Sequence, residues 1–147
     1  MALIPALSQA ADSASPRFVS LRADEVNLRT GPGVRYPVDW VYRRRHLPVE
    51  VVAQFENWRK IRDWQGTEGW VHQSMLTTAR NVLVTGEVRA LYRKPAEDSV
   101  ILARIEPGVI GTMRKCEVQW CRIEIAGLAG WLKRTDFWGP SSDEAAK

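Results

Sequence analysis

Few side chains in this sequence could carry covalent or metal chemistry. There are two histidines, His46 and His72, and two cysteines, Cys116 and Cys121. A metal site needs three or four ligands at defined spacing, and neither histidine has such companions; both read as loop residues. A cysteine nucleophile needs a base beside it, yet both cysteines lie in the half of the chain that has no histidine. Carboxylates such as Asp63 and Glu68 are scattered among basic residues, as on a solvated face. We therefore expect no enzyme, no metal and no cofactor.

The stretch VNLRTGPGVRYPVDW, residues 26–40, raises a different possibility, because glycine-rich loops grip phosphates. The lysine and hydroxyl of the phosphate-loop motif are missing, however, and no helix follows to present its N-terminus. Gly31-Pro32-Gly33 reads instead as a loop reversal. The glycines are expected to supply backbone angles that a β-carbon forbids, and Pro32 to stiffen the turn. Just beyond stand Tyr36, Trp40 and Tyr42, then Arg43, Arg44 and Arg45. Aromatic rings give large contact area for little lost entropy. Three arginines could meet a carboxylate, or could simply be a solvated loop.

These residues must be positioned by small β units. The chain has 147 residues and a net charge of +4. Residues 17–77 and 78–138 each carry 10 basic and 7 acidic side chains. Charge that mild and even is not the basic patch of a nucleic-acid binder, and no apolar run reaches the length of a membrane span. The sequence also repeats itself. Leu28 aligns with Leu91, Trp58 with Trp120, Gly66 with Gly127 and Trp70 with Trp131, at offsets of 63, 62, 61 and 61. Within each copy, short β-branched and alternating runs are separated by glycine turns. Strands are expected near 47–54, 58–64 and 68–72, and again near 109–116, 120–126 and 129–133. The fold class is all-β: two tandem small barrels, at 17–78 and 79–138. A connection as short as Thr77–Arg80 forces them to touch. Residues 1–16 read as a leader, either the remnant of a secretion signal or a disordered segment, and 139–147 as a polar tail.

Asn27-Leu28-Arg29-Thr30-Gly31-Pro32-Gly33, Trp58 and Gly69-Trp70-Val71 together resemble the bacterial SH3-like (SH3b) domain. The second copy keeps Trp120 and Gly130-Trp131-Leu132 and departs at Ala90-Leu91-Tyr92-Arg93-Lys94-Pro95. The resemblance implies two SH3-like barrels and a role in binding cell-wall peptides, glycans or proteins. The similarity to eukaryotic SH3 domains further implies a ligand-contacting tryptophan at this strand start, Trp58. The parity of the strand agrees, because Trp58 faces away from the core if Ile61 faces in; the other reading has Trp58 covering a barrel edge or packing on the second barrel. Trp70, next to glycine and alternating with Val71, reads as structural. His72 and Met75 stand where eukaryotic proline-binding domains have Pro and Tyr, which argues against polyproline recognition.

Together these readings give an expected site in the first barrel: Tyr36, Trp40, Tyr42 and Trp58 walling a groove, with Arg43, Arg44 and Arg45 at its end. The expected ligand is a peptide or peptidoglycan fragment, with a protein–protein scaffold as the alternative and a fragment of a wall hydrolase as a third. Cys116 and Cys121 align with Gln54 and Arg59 on adjacent antiparallel strands, flanking the tight loop Glu117–Trp120. Opposed residues in such a ladder lie within disulfide reach. A bridge would place the protein in the periplasm or outside the cell; two free thiols would leave it in the cytoplasm.

Overall fold

Alternating and β-branched runs become strands throughout residues 17–140, which are the residues described in the computed structural model. The leader and most of the polar tail lie outside the described residues. The first sheet contains β1 (Arg17–Leu21), β2 (Val26–Arg29), β3 (Val38–Tyr42), β4 (Pro48–Phe55), β5 (Trp58–Arg62), β6 (Glu68–His72) and β7 (Leu76–Thr77). The second contains β8 (Asn81–Val84), β9 (Arg89–Tyr92), β10 (Ile101–Ile105), β11 (Ile110–Cys116), β12 (Trp120–Ile125), β13 (Leu128–Lys133) and β14 (Phe137–Trp138). The only helical turns among the described residues are single 3-10 turns at Gln73–Met75 and Arg134–Asp136. No helix among them is long and apolar enough to cross a membrane.

Strand order is β3-β2-β6-β5-β4-β1-β7 in one sheet and β10-β9-β13-β12-β11-β8-β14 in the other. The two orders are the same under a shift of seven strands, as expected of duplicated units. Even the irregularities repeat. The register slips at Asp39 on β3 and Leu102 on β10, the second strands of their hairpins, and at Val52 on β4 and Arg114 on β11, the first strands of theirs. Such bulges bend a strand and increase its twist. One expectation is corrected: the units are not closed barrels. β3 and β7 end the first sheet without pairing with each other, and β10 and β14 end the second. β7 and β14 are two residues long, and β2 meets β6 only at Arg29↔Trp70. That is too little ladder to complete a ring.

Alternation puts one face of each sheet inside. Leu21, Leu28, Val49, Ile61 and Val71 form the heart of the first core, and Val82, Leu91, Ile123 and Leu132 that of the second. Each large aliphatic side chain fully buried contributes roughly 1.5–3 kcal/mol. The Gly-Trp-hydrophobic motif has a packing reason. A Cβ on Gly69 would lie 2.5 Å from Leu28 Cγ, and one on Gly130 would lie 2.6 Å from Leu91 Cγ.

The repeats touch. Leu83 of β8 is 2% exposed and belongs to the core of the first unit. Ser20 Oγ donates to Ala79 O at 2.8 Å and accepts from Asn81 Nδ2 at 2.9 Å. Phe18 stands edge-on to Trp138 with ring centroids 4.8 Å apart.

Candidate functional site

The Gly-Pro-Gly loop is a tight reversal closed by Thr30 N–H to Pro37 O at 3.1 Å, Gly33 N–H to Gly31 O at 2.9 Å and Tyr36 N–H to Gly33 O at 3.1 Å. Arg29 Nη1 staples it, donating to Val34 O and Tyr36 O. The second unit closes its loop with the same three bonds: Arg93 N–H to Val100 O, Ala96 N–H to Lys94 O and Ser99 N–H to Ala96 O. Lys94 and Ala96 therefore adopt the bonding pattern of Gly31 and Gly33, and neither of those glycines has a positive φ. The expectation that they supply forbidden backbone angles is corrected. Gly31 is required by packing, because a Cβ there would lie 2.5 Å from Cδ1 of Tyr36. Tyr36 thus lies over its own loop.

Tyr42 borders a groove between the two units from inside the core. At 4% exposure it is part of the core, and its hydroxyl donates to Asp63 Oδ2 at 2.9 Å. Burial first, and then this bond, push the phenol above its ordinary pKa. Asp63 in turn accepts from the N–H groups of Gln65 and Thr67. The carboxylate thereby ties the β5–β6 turn to the end of β3.

That tie positions two rings that are left outside. Trp40 on β3 is 58% exposed, and Trp64 in the β5–β6 turn is 39% exposed. Both line a predominantly apolar groove of about 620 Å³, whose other wall is the second unit at residues 83–86 and 107–108. Such volumes are typical of ligand clefts. Trp64 was not singled out from sequence; a large ring inside the polar turn Asp63–Gly66 was the available signal.

The basic cluster sits where the units meet. Arg44 Nη1 donates to Gly108 O at 2.8 Å and crosses between the units. Arg43 pairs with Glu25 at 3.3 Å, and Arg45 with Asp24 at 3.4 Å. These ions are exposed, so each pair is weak. Arg43 and Arg44 line the groove; Arg45 does not. His46 has φ 76°, in a turn where the second unit has Gly108 at 96°. Its place is set by the backbone.

Trp58 has the expected parity. Ile61 is fully buried, while Trp58 is half-buried on the opposite face, edge-on to His72 with ring centroids 5.2 Å apart. It is not among the residues lining the groove of Trp40 and Trp64. The predicted set is therefore split, with Trp40, Tyr42, Arg43 and Arg44 at the inter-unit groove and Tyr36 and Trp58 away from its lining. In the second unit the counterpart, Trp120, lines a more polar cleft of about 680 Å³ with Glu97, Val118, Lys133 and Arg134. There Lys133 meets Glu97 at 2.6 Å, and that bond holds its ammonium above the ordinary value.

The profile of the bacterial SH3 domain matches the sequence twice, at residues 22–77 and 86–139. The chain belongs to the bacterial SH3 domain family. Among curated proteins, none matches it. The chain is similar to solved structures of NlpC2 and NlpC1 from Trichomonas vaginalis. Both align at 12% identity and a TM-score of 0.39, covering 84% of this chain and 48% and 45% of theirs. An NlpC/P60 family protein from Bacillus cereus aligns at 16% identity and a TM-score of 0.37, covering 85% of this chain and 57% of that one. The chain thus spans about half the length of these structures.

In this pair of bacterial SH3 domains the cysteines are joined. Cys116 and Cys121 are register partners on β11 and β12, with Cα atoms 3.9 Å apart and an S–S bond. Glu117 N–H donates to Trp120 O at 2.7 Å, which makes the adjacent cysteine pair the non-hydrogen-bonded one, where side chains come closest. Among the described residues, no three histidine, cysteine or carboxylate side chains are grouped to hold a metal.

Proposed function

We propose that this chain is a non-enzymatic binding module of the bacterial envelope, recognising a peptide or peptidoglycan fragment at the groove between its two domains. The observation that carries this reading is the pair of exposed rings, Trp40 and Trp64, held on one apolar groove with Arg43 and Arg44 at its rim. Rings left in water on a rigid edge are the kind of anchor that dominates binding energy. The disulfide supports a location in an oxidising compartment, the periplasm or outside. The site is thus moved from the Trp58 side of the first unit to its boundary with the second.

Co-sedimentation with purified peptidoglycan sacculi tests this. Trp40→Ala combined with Trp64→Ala should weaken retention by at least about fivefold, as loss of anchor rings does, while Trp58→Ala should change it less. Equal losses from the two proteins would return the site to Trp58. A second reading, a protein–protein scaffold, is favoured by the apolar tips Val34 and Val118, which are strongly exposed on two separate loops. Retention by envelope proteins together with no retention by sacculi would select it.

A further inference from the structure

We infer that the occupant of the groove is an extended peptide that adds to β3 as a further strand of the first sheet. This rests on the groove reading above and gives it a ligand class and a bonding mode.

β3 is hydrogen-bonded on one side only, to β2. The Thr30–Pro37 bond sets the phase of that hairpin. The register then slips at Asp39, between Arg29↔Val38 and Leu28↔Trp40. With one residue bulged, Trp40 and Tyr42 turn their backbone groups toward β2, and Val41 turns its N–H and C=O to the open edge. The groove is lined by residues 40, 41, 42, 43 and 44 in succession. A cleft over a sheet face would be lined by alternate residues; one lined by consecutive residues runs along the strand's edge.

The far wall, residues 83–86 and 107–108, belongs to the second unit and is held by the Arg44–Gly108 bond. A space of about 620 Å³ between two walls takes one short segment rather than the sheet of another copy. The bulge at Asp39 guards the start of β3, as bulges and charges on edges do. That leaves residues 40–43 for pairing, roughly 10–13 Å of strand, which suits three or four ligand residues. Strand addition draws affinity from main-chain bonds and specificity from side-chain pockets, here beside Trp40 and Trp64.

Charge fixes the ligand's end. Arg43 and Arg44 follow directly after β3. Arg43 is held only by an exposed pair with Glu25, which exchanges readily. Arg44 commits one donor to Gly108, and a guanidinium has five. The ligand is therefore an extended peptide with a carboxylate at the end that lies over these arginines.

The test uses the full chain and a pool of tetrapeptides with free C-terminal carboxylates, beside a matched pool with methylated backbone nitrogens. Binding of the unmethylated pool should slow hydrogen exchange at the Val41 amide. Methylation should weaken binding at least about tenfold, as loss of paired backbone bonds requires. Val41→Pro should do the same, and the methylated pool gives the answer without altering the protein if that variant folds poorly. Equal binding of the two pools, no binding of either, or an unprotected Val41 amide would overturn the inference. So would a dimer that protects Val41 without peptide. The groove reading is judged separately. If Trp40→Ala still reduces sacculus retention while the peptides fail, the groove stands and strand addition falls; if it leaves retention unchanged, the groove itself is wrong.

Discussion

The loops at 30–37 and 93–100 share a backbone hydrogen-bond pattern and differ in nearly every side chain. The first holds Gly31, Gly33 and Tyr36, and the second Lys94, Ala96 and Ser99 at the same places, with the same three bonds. The difference shows that the backbone shape does not depend on glycine. It depends on the closing bonds and on Pro32 and Pro95, which stand at equivalent points. Glycine became necessary only where an aromatic ring lies on the loop. A similar contrast appears inside the units, where Tyr42 reaches Asp63 in the first and Ile105, buried, occupies the matching position in the second.

The largest effect expected from this contrast concerns Gly31. Gly31→Ala should destabilise the protein by roughly 1–3 kcal/mol, the usual result of overpacking. In a Tyr36→Ser background, which gives the first loop the residue of the second, the cost should nearly vanish. Chemical denaturation of the four proteins measures this, and the same loss in both backgrounds would show that the backbone needs glycine after all. Next in size is reduction of Cys116–Cys121, which should remove about 2 kcal/mol, as expected for a short loop. Because the bridge joins β11 to β12, the loss should appear in amide exchange of the second core before the first.

The smallest effect is confined to alkaline pH. The unfolded phenol of Tyr42 ionises near pH 10, while burial and Asp63 keep the folded one neutral to higher pH. The unfolded state then binds fewer protons, so this contribution to stability is intact below about pH 10 and is lost above it, by at most about 1.4 kcal/mol per pH unit. Tyr42→Phe should flatten that decline in thermal melts taken above pH 10. A decline that persists in the variant would locate it elsewhere.

The sequence made the fold legible through the duplicated tryptophans and glycines, whose near-constant offsets needed no knowledge of packing. Strand parity placed Ile61 inward and Trp58 outward, and the hairpin alignment brought Cys116 opposite Cys121. Closure of the sheets was not legible, because it depends on how much ladder two-residue strands such as β7 and β14 can form. For the site, residue type could not show how a ring would be shared: Tyr42 borders the groove and at the same time belongs to the core. The role of Gly31 was hidden because the ring that demands it, Tyr36, is brought back only by the folded loop. Trp64 was missed because its exposure is set by Asp63 holding the turn. The arginines were legible as a cluster, while their partners Asp24, Glu25 and Gly108 come from other turns and from the other unit.

Leu83 has a consequence for the order in which the protein can be made. It is the third residue of β8 and part of the second sheet, yet it lies in the core of the first unit, against which Ile110 also packs. A ribosome releases the chain from its N-terminus, so the first domain leaves the exit tunnel with its wall still open. It is sealed only as residues of the second domain arrive. A cut after residue 80 would therefore part Leu83 from the core it completes and leave the first unit without that piece of its wall.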